Sequence, residues 1–257
     1  MTPTCCPPEQ SLSFGAAALM LLLGVVACQH QEQFEAAPGT GCVALLHGLA
    51  RSDASMNPLA EALQRKGYFI VNEPYDSRAH GIEELAAQTV PAAIARCEAE
   101  DARPLHFVTH SLGGILVRQY LATHPHPRDL GRVMMLSPPN QGSEVVDAMK
   151  NVPGFGLFGG PAGRALGTDP ESLPRRLPPV DFELGVIAGT ASINPLFSAL
   201  LPGKDDGAVS VTSARVEGMQ DFVLVPRSHT YIMKSDDAID QALWFLETGH
   251  FRTPAVP

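Results

Sequence analysis

Apolar residues are distributed along this chain in two alternating textures. Short, largely apolar runs occur at 43–46, 68–71, 105–109, 133–136, 184–188 and 222–225. Runs of this length without polar alternation predict strands covered on both faces. Between them apolar residues return every three or four positions, as a helix requires. Met56, Leu59, Ala60 and Leu63 form one such face, which should end at Gly67. Ile82, Leu85, Ala86 and Ile94 form a second, with a kink expected at Pro91. Ile115, Leu116 and Leu121 form a third, and Ile239, Ala242, Leu243 and Phe245 a last one. Strand and helix in repeated alternation predict an α/β domain with a mostly parallel sheet of about six strands and helices on both faces. Ligands on such sheets bind at the carboxyl ends of the strands.

Two stretches depart from this rhythm. Residues 153–179 contain six Gly and six Pro, and Phe155, Leu157 and Phe158 make the stretch apolar. Long irregular segments inside compact domains tend to be functional, so residues 145–180 are expected to form a lid or cap. Residues 14–27 are apolar apart from glycines, and at 14 residues they fall short of the roughly 20 needed to span a membrane. They fit the apolar region of an export signal. The stretch closes on Val25-Val26-Ala27-Cys28 before the polar run 29–33, a pattern similar to a bacterial lipoprotein signal with Cys28 as the lipidated residue. Residues 1–13 carry no Lys or Arg, which departs from that pattern. An ordinary cleaved signal and an uncleaved anchor are the alternatives. The expected organisation is a signal at 1–28, a linker at 29–40 and one α/β domain at 41–252. The chain is accordingly expected in a bacterial cell envelope, anchored by lipid, or free in the periplasm or medium.

The 257 residues, 45% of them hydrophobic, suffice for one well-buried domain. The net charge of −9, with no basic run longer than Arg65-Lys66 or Arg175-Arg176, argues against a nucleic-acid partner. Cys42 should begin a strand and Cys97 should end a helix returning from the opposite edge, so both belong at the same end of the sheet. In an oxidising compartment they would pair; the alternative is two buried thiols.

The chemistry gathers at the strand ends. Thr109-His110-Ser111-Leu112-Gly113-Gly114 lies between an apolar strand and an amphipathic helix, the setting of a G-x-S-x-G nucleophile elbow. The serine must stand on a sharp turn, so small neighbours let strand and helix approach. Gly113 fits, and Thr109 departs from the expected first glycine. The alternative for Ser111 is an ordinary helix N-cap. His47-Gly48-Leu49 ends the first strand. There Gly48 lets the backbone turn inward, and the N–H groups of Leu49 and Leu112 are the expected oxyanion donors. His47 and His110 are read as residues that support these loops. Asp205-Asp206-Gly207 follows the fifth strand and Ser228-His229-Thr230 the sixth. The resulting order, Ser111, Asp206, His229, assigns nucleophile, acid and base, with Asp205 as the competing acid. The remaining histidines, His30, His80, His106, His124, His126 and His250, show no metal-ligand spacing, and no metal is expected.

These motifs resemble those of the small bacterial triacylglycerol lipases and esterases of the α/β-hydrolase superfamily. The resemblance rests on 47–49, 109–114, Asp206-Gly207, His229 and the run Ser137-Pro138-Pro139-Asn140-Gln141-Gly142-Ser143, and covers roughly residues 41–250. It implies a hydrolase fold with no organic cofactor and hydrolysis of a small-molecule or lipid ester by an acyl-serine route. The family's first two strands have no room in residues 29–40, so a six-stranded version is expected. An acyltransferase on the same triad, or a non-catalytic envelope protein that binds a lipid or partner, are the competing readings.

Overall fold

A computed structural model describes residues 41–252. The expected signal at 1–28, its Cys28 and the linker at 29–40 lie outside the described residues. Six strands form one sheet: β1 (Cys42–Leu46), β2 (Phe69–Asn72), β3 (Leu105–His110), β4 (Leu130–Leu136), β5 (Leu184–Gly189) and β6 (Asp221–Val225). Their spatial order is β2-β1-β3-β4-β5-β6 and every pairing is parallel. Helices connect them: α1 (Asn57–Arg65), α2 (Ile82–Ala99), α3 (Leu112–Thr123), α4 (Glu144–Met149), α5 (Phe155–Arg164), α6 (Leu173–Arg176), α7 (Pro195–Ser198), α8 (Val211–Ala214) and α9 (Asp236–Thr248).

The two-residue period of a strand divides the core into two layers. Ala44, Leu46, Phe107, Val133 and Val186 face the layer completed by Ile82, Leu85 and Ile94 of α2 and Ile115 and Leu116 of α3. Val43, Leu45, Val108, Met134 and Ile187 face Leu59 and Leu63 of α1 and Ala242 and Phe245 of α9. All five residues of β1 are inaccessible to solvent, which is why that run shows no polar alternation. Each such Leu or Val contributes about 1.5–3 kcal/mol by burial. α9 packs so closely that a Cβ on Gly185 would stand 2.6 Å from the Phe245 ring.

α2 runs from Ile82 to Ala99 with Pro91 inside it. The carbonyl that the proline ring deprives of a donor belongs to Ala87, an exposed residue, where water can serve it. One expectation needs correction: about half of residues 145–180, expected to be irregular, is helical, in α4, α5 and α6. Its glycines begin and bend short helices: Gly154, φ +90°, caps α5, and Gly160, φ +61°, breaks it. A Cβ at Gly160 would meet the Arg78 carbonyl at 2.3 Å.

The Cys42 and Cys97 sulfurs are bonded, with Cα atoms 5.7 Å apart. The bond joins the start of β1 to the last turn of α2, away from the carboxyl ends where the candidate residues gather. Among the described residues no helix is long and apolar enough to cross a membrane, and no group of three His, Cys, Asp or Glu side chains is placed to hold a metal ion.

Candidate active site

β3 stops at His110 and α3 starts at Leu112, leaving Ser111 alone between them with φ +53° and ψ −119°. A non-glycine residue in this region is strained, and only close packing sustains it. A Cβ on Gly113 would lie 2.5 Å from the Leu46 carbonyl oxygen, so the first turn of α3 rests directly on the end of β1. Thr109, which replaces the glycine expected there, is fully buried. It is accommodated because Gly114 opposes it; a Cβ on Gly114 would come to 3.2 Å from the Thr109 Oγ1.

The structure brings Ser111, Asp206 and His229 together. The Ser111 hydroxyl donates to His229 Nε2 over 3.0 Å, and His229 Nδ1–H donates to Asp206 Oδ2 over 2.8 Å. The other carboxylate oxygen, Oδ1, accepts the N–H groups of Ala208 and Val209 at 3.0 and 2.8 Å. The His229 N–H also donates to the Asp206 carbonyl, which ties the two loops together. At the end of β5, Gly189 permits this: a Cβ there would meet Asp206 at 2.8 Å and the Arg227 carbonyl at 2.3 Å. Burial alone would raise the Asp206 carboxyl. The His229 charge and hydrogen bond, with the Ser137 hydroxyl and the Val209 N–H, outweigh it and hold the group below the usual carboxylate range. Asp205 is occupied elsewhere, its Oδ1 accepting from the Ser198 hydroxyl and the Gly207 N–H at 2.7 and 2.8 Å.

The loop after β1 closes over the serine. A Cβ on Gly48 would stand 2.6 Å from His110 Nδ1 and 3.2 Å from Ser111 Cβ, so only glycine fits that turn. Among the described residues neither the Leu49 nor the Leu112 N–H has an acceptor. His47 has both ring nitrogens on backbone carbonyls, Gly48 at 2.9 Å and Tyr75 at 3.1 Å, and stacks on Tyr75. Its burial lowers its basicity. His110 donates from Nε2 to the His229 carbonyl over 3.0 Å. Burial, then the charges of His229 and Arg51, push its pKa well below the ordinary value, so it is a neutral strut under the histidine loop.

Sequence reasoning assigned no role to several residues that shape this site. Ser137 follows β4 with φ +47°, and its hydroxyl accepts the Gly189 N–H over 3.4 Å at the end of β5. A buried serine at a strand end carries no distinguishing signal. Ser77 accepts the Ala50 N–H over 2.9 Å from a loop 27 residues away in sequence. Arg118 of α3 donates to the Asn140 carbonyl and Oδ1, both at 3.1 Å, and so anchors the 137–143 run; burial draws its pKa down to about 10. An arginine inside the apolar stripe of α3 was a legible sign of a buried polar anchor.

Ser111 and His229 open into a cavity of about 740 Å³, within the usual size of small-molecule sites. Val145, Val146, Met149, Val152, Phe155 and Leu166 line one part of it and Ile193 and Phe197 another. The apolar lining thus comes largely from the segment expected to act as a lid.

No protein-family model matches the chain, and no curated protein matches it by sequence. Solved structures do. The mature form of lipase BlEst2 from Bacillus licheniformis superposes with a TM-score of 0.63 at 20% identity, over 83% of this chain and 93% of that one. Phospholipase PlaB from Legionella pneumophila gives 0.61 at 15%, over 81% and 59%. The metagenomic carboxyl esterase MGS0156 gives 0.59 at 18%, over 77% and 67%. At these identities the likeness is one of fold: the chain has the α/β-hydrolase fold.

Proposed function

We propose that this protein hydrolyses carboxylic esters through an acyl-Ser111 intermediate. One observation carries the reading: the relay of 3.0 Å from Ser111 to His229 and 2.8 Å from His229 to Asp206, opening into an apolar cavity. His229 Nε2 takes the serine proton as Oγ attacks the ester carbonyl carbon. Asp206 keeps the proton of the neutral ring on Nδ1 and balances the imidazolium that forms. The carbonyl oxygen becomes an oxyanion, which the Leu49 and Leu112 N–H groups receive; such donors contribute about 2.7–4 kcal/mol each in other hydrolases. His229 then returns the proton to the departing alcohol, and water repeats the sequence on the acyl-enzyme to release the acid. The apolar lining from α4 and α5 suits a medium or long acyl chain, with residues 145–180 as its cover. The superposed structures are a lipase, a phospholipase and a carboxyl esterase, which agrees with this substrate class.

The test is labelling by a fluorophosphonate probe together with turnover of p-nitrophenyl esters from acetate to palmitate. Wild-type protein should be labelled at Ser111 and should turn over the longer esters. Folded Ser111→Ala should lose the label and lower kcat by at least about 10⁴-fold. Turnover by that variant at the wild-type rate would remove Ser111 from the mechanism.

A further inference from the structure

The cavity beside Ser111 has a charge asymmetry that ester hydrolysis by itself does not use. Among its described lining residues the only Lys or Arg is Arg51, and the only carboxylate is Asp206, already committed to His229. Arg51 is exposed, and no carboxylate among the described residues lies within ion-pair distance of it. Arg78, Arg96, Arg103, Arg132 and Arg227 each have one, whereas Arg65, Arg128, Arg164 and Arg175, like Arg51, do not. What sets Arg51 apart is its place, as the cation that lines the apolar pocket.

The turn that carries it is built. Arg51 N–H donates back to the Gly48 carbonyl over 3.2 Å. Ala50 takes φ +53°, a left-handed conformation that costs a non-glycine residue free energy. The Ala50 N–H is held by the hydroxyl of Ser77, a residue only 2% exposed. The same short loop therefore fixes Leu49 over Ser111 and Arg51 at the rim. The guanidinium charge reaches the site, since it contributes to holding His110 neutral.

We propose that Arg51 is an anion-binding residue, so that the preferred substrates carry a phosphate or carboxylate on the alcohol side of the ester. This rests on the ester-hydrolase reading above. A charged group set against Val145, Met149 or Phe155 would lose its hydration without return, so the acyl chain takes that wall. The anion is left to Arg51, whose planar fork matches both oxyanion classes.

Three dodecanoyl esters test this: 1-dodecanoylglycerol, which is neutral, 1-dodecanoylglycerol 3-phosphate, and O-dodecanoyl lactate, which carries a carboxylate. The readout is the ratio of kcat/KM for each anionic ester to that for the neutral one. The wild-type ratio should exceed one for at least one anion, and the two arms tell phosphate from carboxylate recognition. Arg51→Gln should lower that ratio about five- to tenfold, and Arg51→Glu further. High salt should shrink the wild-type ratio, because an exposed pair is screened. Wild-type ratios of one or less, or ratios unmoved by both variants, would overturn the proposal. Absence of turnover on all three esters together with no fluorophosphonate labelling would instead bring down the hydrolase reading, and this inference with it.

Discussion

At the scale of single residues, the two adjacent aspartates show how position decides role. Asp205 and Asp206 are chemically identical, yet only Asp206 reaches His229. Asp205 accepts from Ser198 and Gly207, contacts that an asparagine carbonyl oxygen can keep. Asp206→Asn should therefore lower kcat by about 10³–10⁴-fold, since the amide cannot hold the required histidine tautomer. Asp205→Asn should cost less than about tenfold. Steady-state kinetics on a p-nitrophenyl ester checks both, and the reverse ranking would move the acid to Asp205. His110 illustrates the limit of reading at this scale. Its place beside Ser111 was plain, but its hydrogen bond to the His229 carbonyl spans 119 positions, and no local pattern encodes that.

At the scale of elements, the packing of α3 on β1 governs the site. The two meet through the backbone at Gly113, where a Cβ would lie 2.5 Å from the Leu46 carbonyl oxygen. Gly113→Ala should push the helix off the strand, costing about 1–3 kcal/mol as overpacking does. Leu112 N–H and Ser111 would move with the helix, so kcat should fall more than stability alone explains. Urea unfolding and ester kinetics measured on one preparation separate the two effects. Unchanged values in both would show that the contact is not needed. The segment at 145–180 carries a related lesson. Its Gly and Pro content signalled interruptions, but several short helices with glycine caps and breaks have the same composition as a loop.

At the scale of the molecule, the bond between Cys42 and Cys97 closes 55 positions of chain. Loop entropy in the unfolded state makes such a link worth about 4 kcal/mol, and measured cases give roughly 2–4 kcal/mol. Cys42→Ala/Cys97→Ala should therefore lower the Tm by roughly 5–15 °C, and reductant should lower that of the wild type by a similar amount. A Tm insensitive to reductant would argue that the two sulfurs are thiols in solution. The bond lies at the opposite end of the sheet from Ser111, so the variant at low temperature should keep its kcat. A disulfide of this kind also belongs with an oxidising compartment, the destination that an export signal would supply.

The amino-acid sequence by itself determined the order of the six strands and of helices α1, α2, α3 and α9, the two-sided burial of the sheet and the identity of the elbow. Those properties are written in short-range patterns: solid apolar runs, helical periodicity, and small residues around Ser111. Chain order was enough to nominate Asp206 and His229, because each follows a strand whose carboxyl end points the same way. Tertiary structure alone decided which of two aspartates meets the histidine, why Thr109 is tolerated opposite Gly114, and that Ser137 and Ser77 support the site from other loops. It also decided that Arg51, an unremarked residue in a surface turn, stands at the mouth of the cavity. The physical reason is the same in each case: these contacts join positions far apart in sequence, and their energies depend on distances that exist only once the sheet has brought the loops to one edge.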